Sequence, residues 1–299
     1  MKVLLLYNNY AANHRSENHY TTVLELFDRY NIICDVKIPE YKHQGIEIIK
    51  NCDLTKYDAV IGAGGDGTIF ELINGLKRNP SEKKIPFGVI PIGTGNAYAR
   101  DLGLTSDNLQ AAVKAVSTFK TIKTDIGFAK NSHDSYYFTN IMGFGFVTDV
   151  ARSAHKMKMF GALSYTFGVL YHTLFLNSYH LRMETENGVI ERENVFAEIS
   201  NSRYTGKDFL MAPAAKINDG FLDVTLFNKA SRLKLLSGLP KIFTGDHVKM
   251  KEVETYQVKK VLLETKEPKI LTPDGEVIGE TPITVECLPG NLDVIVNQS

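Results

Sequence analysis

The sequence has only three cysteines among its 299 residues, and their arrangement argues against two common roles. Cys34, Cys52 and Cys287 are odd in number, lie far apart in the chain and form no CxxC or Cys/His cluster. Neither a disulfide framework nor a zinc site is therefore indicated. We predict that all three are free thiols of a protein in the reducing cytosol.

The chain also has no excess of either charge and no long apolar run. Its 34 basic residues balance its 34 acidic residues, whereas nucleic-acid-binding proteins usually carry a basic excess. The first apolar run, Val3–Tyr7, is too short for a signal peptide, and no run approaches the roughly 20 apolar residues of a membrane-spanning helix. We therefore expect a cytoplasmic protein that binds no nucleic acid and contacts any membrane only peripherally.

The length suggests two domains, and the first part of the chain has the pattern of an α/β domain. Strand-like apolar runs alternate with helical stripes, for example the stripe of Ile69, Leu72, Ile73 and Leu76 at i, i+3, i+4 and i+7. Strands that alternate with helices predict a parallel sheet, and we assign this domain to residues 1–124. The strand-like runs are Val3–Tyr7, Ile32–Ile38, Ala59–Ile61 and Phe87–Ile90.

The rest of the chain, residues 125–299, is predicted to be a mostly antiparallel, β-sandwich-like domain. Turn pairs such as Asn187-Gly188, Asp274-Gly275 and Pro289-Gly290 separate its strand-like runs, and two helical stretches, 161–176 and 233–243, interrupt them. We expect the last strand to return to the first domain. The strand-like runs are Tyr136–Ile141, Leu181–Thr185, Val195–Ser200, Leu222–Phe227, Val258–Glu264 and Ile283–Leu288.

The first candidate site is a glycine-rich turn after the strand Ala59–Ile61. Gly62, Gly64, Gly65 and Gly67 occur here, and a helix is predicted to begin at Thr68. Glycines let the backbone N–H groups approach a ligand closely, and a helix N-terminus favours phosphate. The spacing is neither a Walker A loop nor GxGxxG. Asp66, within this turn, is either a turn residue or a ligand of Mg²⁺, which prefers carboxylate oxygen.

The second candidate site is a similar turn after Phe87–Ile90. Gly93 and Gly95 flank Thr94, and Asn96 precedes a short helix. Two such turns at the same edge of a parallel sheet can form one phosphate-binding site. Thr94 and Asn96 can each donate a hydrogen bond to phosphate or ribose, although Asn96 taken alone is more typical of a helix cap.

The two turns together resemble one enzyme family. GGDGT followed by NGL, then PIGTGNAYARDLGL, is similar to the catalytic domain of diacylglycerol kinases, sphingosine kinases and bacterial lipid kinases. LMAPAAKINDGFLDVTLF and TPDGEVIGETPITVECLPGNLDVIV resemble the family's later segments. The resemblance implies an N-terminal nucleotide domain, a β-rich lipid domain and a catalytic site between them. It also implies transfer of the ATP γ-phosphoryl group to a hydroxyl of a membrane lipid.

The resemblance implies a role for each matching residue. Asp274 is the expected general base, and Glu276 a second acidic group of the active site. Asp219 is expected to bind a structural Mg²⁺ with the main-chain carbonyls of Lys216 and Phe221. The residues expected to contact ATP are Gly64, Gly65, Asp66, Gly67, Thr68, Ile69, Phe70 and Thr94. From the residues alone, Pro273-Asp274-Gly275 is instead a hairpin turn.

Several alternatives stay open at this stage. An NAD kinase shares the GGDGT turn, and a non-catalytic nucleotide or phospholipid sensor would keep the fold. The run 156–160, Lys-Met-Lys-Met-Phe, is either a solvated face or a contact with anionic lipid headgroups. Asn8-Asn9 stands where the family usually has Asn-Pro, and Ala97 where many bacterial diacylglycerol kinases have Asp. The identity of the lipid and the formation of a homodimer are also open.

Overall fold

A computed structural model describes residues 1–11, 17–146, 148, 177–206 and 208–297. The chain forms two compact units, Met1–Ile126 with Pro289–Ser299 and Gly127–Leu288, which we call unit 1 and unit 2. The run 156–160 and the predicted helix 161–176 lie outside the described residues. No helix within the described ranges is long and apolar enough to cross a membrane.

Unit 1 contains a parallel sheet in the order β2–β1–β3–β4, and the last residues of β16 lie beside β4. Val3–Tyr7 is completely buried, as expected for a parallel strand covered on both faces. Its elements are β1 Lys2–Tyr7, α1 Glu17–Arg29, β2 Ile33–Lys37, α2 Gln44–Lys50, β3 Ala59–Gly64, α3 Asp66–Arg78, β4 Phe87–Pro91, α4 Ala97–Asp101, α5 Leu109–Thr118, the first part of β5 Thr121–Lys130 and the last part of β16 Ile283–Ile295.

Unit 2 is mostly antiparallel, with strands in the order β13–β12–β9–β8–β14–β16, and β7 pairs with both β9 and β15. Besides the remaining parts of β5 and β16, its elements are β6 Ser135–Phe138, β7 Ile141–Gly145, β8 Tyr179–Thr185, β9 Gly188–Ser200, β10 Tyr204–Thr205, β11 Phe209–Leu210, β12 Leu222–Asn228, α6 Arg232–Gly238, β13 Val253–Val258, β14 Lys260–Thr265 and β15 Leu271–Pro273; short 3₁₀ helices cover Leu239–Phe243 and Asp246–Lys249.

Three predicted strands differ from the observed ones. The run Val258–Glu264 belongs to two strands, because β13 pairs with β12 whereas β14 pairs with β8. Tyr136–Ile141 also divides into two strands, because the chain bends at Thr139 and Asn140. The last strand continues past Pro289-Gly290, which is not a turn between two strands.

Candidate active site

Two glycine turns meet at the carboxyl ends of β3 and β4 in unit 1. A Cβ atom on Gly93 would lie 2.3 Å from the Cα atom of Gly65, so the two backbones touch where no side chain fits. The N–H groups of Ile92 and Gly93 both reach Gly64 O, at 3.2 Å each. The structure therefore brings the two predicted phosphate turns together. Such an edge of a parallel sheet is a common ligand site.

The end of β1 joins this arrangement through Asn8. Its side-chain amide donates to Thr68 Oγ1 at 3.0 Å, and its main-chain N–H donates to Ala63 O at 2.9 Å. Thr68 in turn excludes any side chain at Gly64, because a Cβ atom there would lie 2.0 Å from Thr68 Oγ1. Asn8 is the first residue of the Asn8-Asn9 pair that stands in place of the usual Asn-Pro. Through these hydrogen bonds it supports the first glycine turn.

The helix after the first turn begins earlier than predicted. Helix α3 starts at Asp66 with Gly65 as its N-cap, not at Thr68. The N–H groups of Thr68 and Ile69 donate to Gly65 O, and the side chains of Thr68, Ile69 and Phe70 are buried. Because these two N–H groups are already bonded, Thr68 and Ile69 do not offer them to a nucleotide. The start of α3 supplies N–H groups that the helix itself does not use.

Asp66 and Asn96 exchange the roles that the sequence suggests. Asn96 occupies the N-cap position of α4 in a left-handed conformation (φ 54°), but its side chain does not cap the helix. It binds Gly93 instead, accepting from N–H at 3.0 Å and donating to O at 2.8 Å. The cap of α4 comes from Asp66, which accepts from Tyr98 N at 3.2 Å. Thr94, between the two glycines of the second turn, is exposed.

Asp125 is a buried acid of unit 1 that the sequence reasoning missed. It lies in β5, and its carboxylate accepts from Gly290 N at 2.7 Å. The preceding residue, Thr124, is hydrogen-bonded to the hydroxyl of Tyr98 at 3.1 Å. The available signal was an acidic residue directly before the apolar run 126–129, since a buried charge needs a partner.

In unit 2, Asp274 is buried and held by four donors. Its Oδ1 accepts from the N–H groups of Asn140 at 2.8 Å and Ile141 at 3.3 Å. Its Oδ2 accepts from Thr139 N at 2.9 Å and from Thr139 Oγ1 at 3.2 Å. These donors lie where the predicted strand Tyr136–Ile141 is interrupted. The carboxylate therefore explains the break, because it binds N–H groups that a continuous strand would direct to a neighbour.

The backbone at Asp274 is that of a tight turn. Asp274 and Gly275 have positive φ angles of 48° and 86°, and Glu276 N donates to Pro273 O at 2.8 Å. Two consecutive positive φ angles with this hydrogen bond are typical of a type I′ turn. The turn predicted from the residues alone is confirmed. Glu276, the second predicted acid, is half-buried beside it.

The residues predicted to bind the structural Mg²⁺, Lys216, Asp219 and Phe221, lie just before β12. Asp219 Oδ1 accepts from Phe221 N at 3.1 Å, and Gly220 between them has a φ of 79°. Burial and the nearby charge of Asp219 raise the pKa of Asp223 to about 6. Among the described residues no cluster of three or more His, Cys, Asp or Glu side chains forms a metal site.

Glu198 is a further buried acid of unit 2, two residues before the end of β9. Its neighbours on adjacent strands are Thr225 and Gly143. The side chain is 4% exposed, and no described residue forms a hydrogen bond with Oε2. Burial raises the pKa of this carboxyl to about 8, so it is mostly protonated at neutral pH. Glu198 is not among the candidate residues that the sequence motifs indicate.

Two family models together match nearly the whole chain. Residues 2–129 match the diacylglycerol kinase catalytic domain, and residues 140–296, more than half of the chain, match the YegS C-terminal NAD kinase beta sandwich-like domain. Similar curated proteins include a diacylglycerol kinase of Bacillus subtilis, 26% identical over 93% of this chain and 90% of that protein. Another is a diacylglycerol kinase of Mycobacterium tuberculosis, 29% identical over 86% and 87%.

Solved structures share the fold. A crystal structure of a diacylglycerol kinase from Bacillus anthracis, strain Sterne, covers 99% of this chain and 97% of its own, with a TM-score of 0.74 and 22% identity. Among the curated proteins compared by sequence, sphingosine kinase 1 of Arabidopsis thaliana is also similar, being 24% identical over 96% of this chain and 70% of that protein. The α/β domain followed by a β-sandwich-like domain is thus confirmed. The chain belongs to the diacylglycerol kinase family and is an ATP-dependent lipid kinase.

Proposed function

We propose that the enzyme phosphorylates the free hydroxyl of a diacylglycerol, with ATP held by the two glycine turns of unit 1. The observation that carries the nucleotide assignment is the direct backbone contact between Gly65 and Gly93. Because no side chain fits between the two turns, a phosphate bound there would meet the main chain of the turns and the start of α3. The relatives named diacylglycerol kinase support diacylglycerol as the substrate, ahead of a sphingoid or ceramide-type lipid.

Asp274 is proposed as the general base for the lipid hydroxyl. In a loose transition state the proton leaves the nucleophile late, so a carboxylate held close to the hydroxyl suffices as its acceptor. The lone pair that accepts the proton is most easily freed on Oδ2. The hydroxyl of Thr139 can rotate away from this oxygen, whereas the N–H groups cannot. Glu276 is the next candidate for the same role.

Two acidic positions are proposed for magnesium. Asp219, with the carbonyl oxygens of Lys216 and Phe221, would hold a structural Mg²⁺ in unit 2, and Asp66 would bind the Mg²⁺ that accompanies ATP. Bound there, Mg²⁺ neutralises phosphate charge. The capping bond from Asp66 to Tyr98 N occupies one of its oxygens and keeps the carboxylate at the carboxyl edge of the sheet.

The general base is tested with Asp274→Asn and Thr139→Ala. Asparagine suits the left-handed turn, but either orientation of its amide turns an NH₂ group toward main-chain N–H donors, so we expect a lower melting temperature as well as lower activity. Phosphorylation of short-chain diacylglycerol, measured with radiolabelled ATP well below both melting temperatures, should fall by about 10²–10⁴-fold. Thr139→Ala keeps the carboxylate and should stay within about tenfold of the unaltered enzyme.

Nucleotide binding provides the control, because ATP affinity should be the same in all three proteins. Near-normal phosphorylation by Asp274→Asn would exclude this base and transfer the assignment to Glu276. The same assay with sphingosine, ceramide and NAD in place of diacylglycerol tests the substrate. Turnover with NAD alone would favour the NAD kinase alternative. If none of these acceptors is phosphorylated faster by the unaltered protein than by Asp274→Asn, the result would favour a non-catalytic sensor.

A further inference from the structure

A short segment of unit 2 carries a strong local positive charge on this otherwise neutral chain. Residues 229–251 contain six Lys or Arg residues and one Asp, a net charge of +5, whereas the whole protein has a net charge of zero. The segment contains α6 and both 3₁₀ helices of unit 2. Lys234 pairs with Glu252 at 3.5 Å, and Lys249 pairs with Asp246 at 2.6 Å. Within the described part of the chain, Arg232 and Lys241 form no such ion pair.

The same segment exposes two large apolar side chains. Leu233 is 79% exposed and Phe243 is 56% exposed. Leu235 and Ile242, by contrast, pack into a buried cluster with Phe227 and its neighbours. The segment therefore has some apolar side chains that pack against the rest of unit 2 and others that are exposed. Singly exposed apolar residues are common on protein surfaces, so it is the combination of these two with the local positive charge that indicates an interaction surface.

We propose that Arg232, Leu233, Lys241 and Phe243, which we call the α6 surface, dock the enzyme on an anionic lipid bilayer. Leu233 and Phe243 lie in consecutive helical segments, and the backbone stays helical at Gly238 and Leu239 between them. A continuous helix of this length would place the two residues about 17 Å apart along its axis, close enough for both to enter one membrane interface. Phe209 packs against Phe243, with ring centroids 5.0 Å apart, and extends the apolar area. Apolar side chains beside unpaired cations are the features by which peripheral proteins bind negatively charged membranes.

Charge favours a bilayer over a second copy of the chain as the occupant of this surface. In a symmetric dimer the same patch of each subunit meets its counterpart. Two segments of net charge +5 would then face each other, and juxtaposed like charges oppose association. An anionic bilayer provides both the opposite charge and an apolar interior. The proposal rests on the proposed function only in that a lipid kinase must reach a substrate embedded in a membrane.

The test is sedimentation of the full-length protein with phosphatidylcholine vesicles, with and without phosphatidylglycerol. Leu233→Asp with Phe243→Asp should weaken binding to phosphatidylglycerol vesicles by about tenfold or more, since both apolar anchors are lost. Arg232→Gln with Lys241→Gln should weaken it by about fivefold per charge, and added salt should reduce this difference. The run 156–160 stays intact in every variant, so the comparison isolates the α6 surface.

Val189→Asp is the matched control, because Val189 is an exposed apolar residue of the same unit, 51% exposed near the turn between β8 and β9. It should bind vesicles like the unaltered protein. Equal binding by all the variants, or an equal loss in the Val189→Asp control, would overturn the proposal. So would a change from dimer to monomer by light scattering with no change in vesicle binding, which would assign the surface to a second copy.

The kinase assay separates this proposal from the proposed function. Phosphorylation of a soluble short-chain diacylglycerol should be unchanged in the α6-surface variants, whereas phosphorylation of diacylglycerol in anionic vesicles should fall with vesicle binding. A protein that binds vesicles through these residues but phosphorylates no lipid would contradict the proposed function and leave the docking surface in place. Loss of activity toward soluble and vesicle substrates alike would contradict the docking role.

Discussion

Glu198 makes the stability of the protein depend on pH in a direction unusual for an acidic residue. Burial removes water from its carboxyl and raises the pKa from 4.5 to about 8, and no described residue provides a hydrogen bond to Oε2 in place of that water. Below about pH 4.5 the group is protonated in both the folded and the unfolded chain. Between about pH 4.5 and 8 the unfolded chain releases this proton while the folded chain retains it. The contribution of Glu198 to the free energy of unfolding therefore falls as the pH rises, and it levels off above about pH 8.

The magnitude follows from the same two pKa values. Each pH unit between them changes the free energy of unfolding by about 1.4 kcal/mol, so the full range of about 3.5 pH units corresponds to about 5 kcal/mol at most. Since folded domains are typically stable by only 5–15 kcal/mol, such a change is large. Glu198→Gln keeps the shape of the side chain and removes its ionisation. The advantage of this variant over the unaltered protein should therefore grow by about 1.4 kcal/mol per unit from pH 5 to pH 8.

Urea unfolding followed by circular dichroism at pH 5, 6, 7 and 8 measures this difference; tryptophan fluorescence is no option because the chain contains no tryptophan. The change of the free energy of unfolding with pH is more informative than its absolute value in Glu198→Gln. The buried amide itself destabilises the folded protein, but by an amount that does not depend on pH. Glu198→Leu should give the same slope from a different starting stability. Parallel stability curves for the three proteins would show that Glu198 is already ionised in the folded state.

Three further predictions follow from the candidate site. Gly93→Ala should weaken ATP binding more than Gly65→Ala does, because the added Cβ atom would lie 2.3 Å from backbone in the first case and 3.3 Å in the second; equal effects by calorimetry would contradict the contact. Asp219→Ala should remove the dependence of the melting temperature on Mg²⁺, and an unaltered protein insensitive to both Mg²⁺ and chelator would exclude that site. Asn8→Ala should lower ATP affinity by releasing Thr68, whereas unchanged affinity would limit Asn8 to a structural role.

The elements predicted best from sequence are those with one dominant periodic pattern. The completely apolar run Val3–Tyr7 can only be a strand covered on both faces, and the stripe Ile69–Leu76 can only be one side of a helix. The interrupted elements depend instead on partners distant in the chain. The last strand continues past Pro289-Gly290 because Gly290 N donates to the buried carboxylate of Asp125, a contact across 165 positions that no local pattern reveals.

The candidate site divides in the same way. The glycine turns were predictable because tight turns at the carboxyl ends of parallel strands have a local sequence signature. The hydrogen bonds made by Asn96 and Asp66 were not predictable, because both residue types are suited to cap a helix. Only the folded chain shows that Asp66 caps α4 while Asn96 binds Gly93. Glu198 was missed for a related reason: the run Val195–Ser200 predicts a strand, but only the folded chain shows that both faces of that strand are buried here.

Asp274 shows that a turn and a catalytic role need not be competing explanations of the same residue. The left-handed turn favours Gly, Asn or Asp at this position, so backbone geometry alone does not require an acid. The four hydrogen bonds donated by Thr139, Asn140 and Ile141 do favour an acid at this position. Among Gly, Asn and Asp, only Asp has two side-chain oxygens that both accept hydrogen bonds. Loss of stability in Asp274→Asn would therefore be expected from its structural role and would not demonstrate catalysis. Only the rate per folded molecule, compared with Thr139→Ala at a temperature where both variants are folded, distinguishes a base from a residue that merely orders this turn.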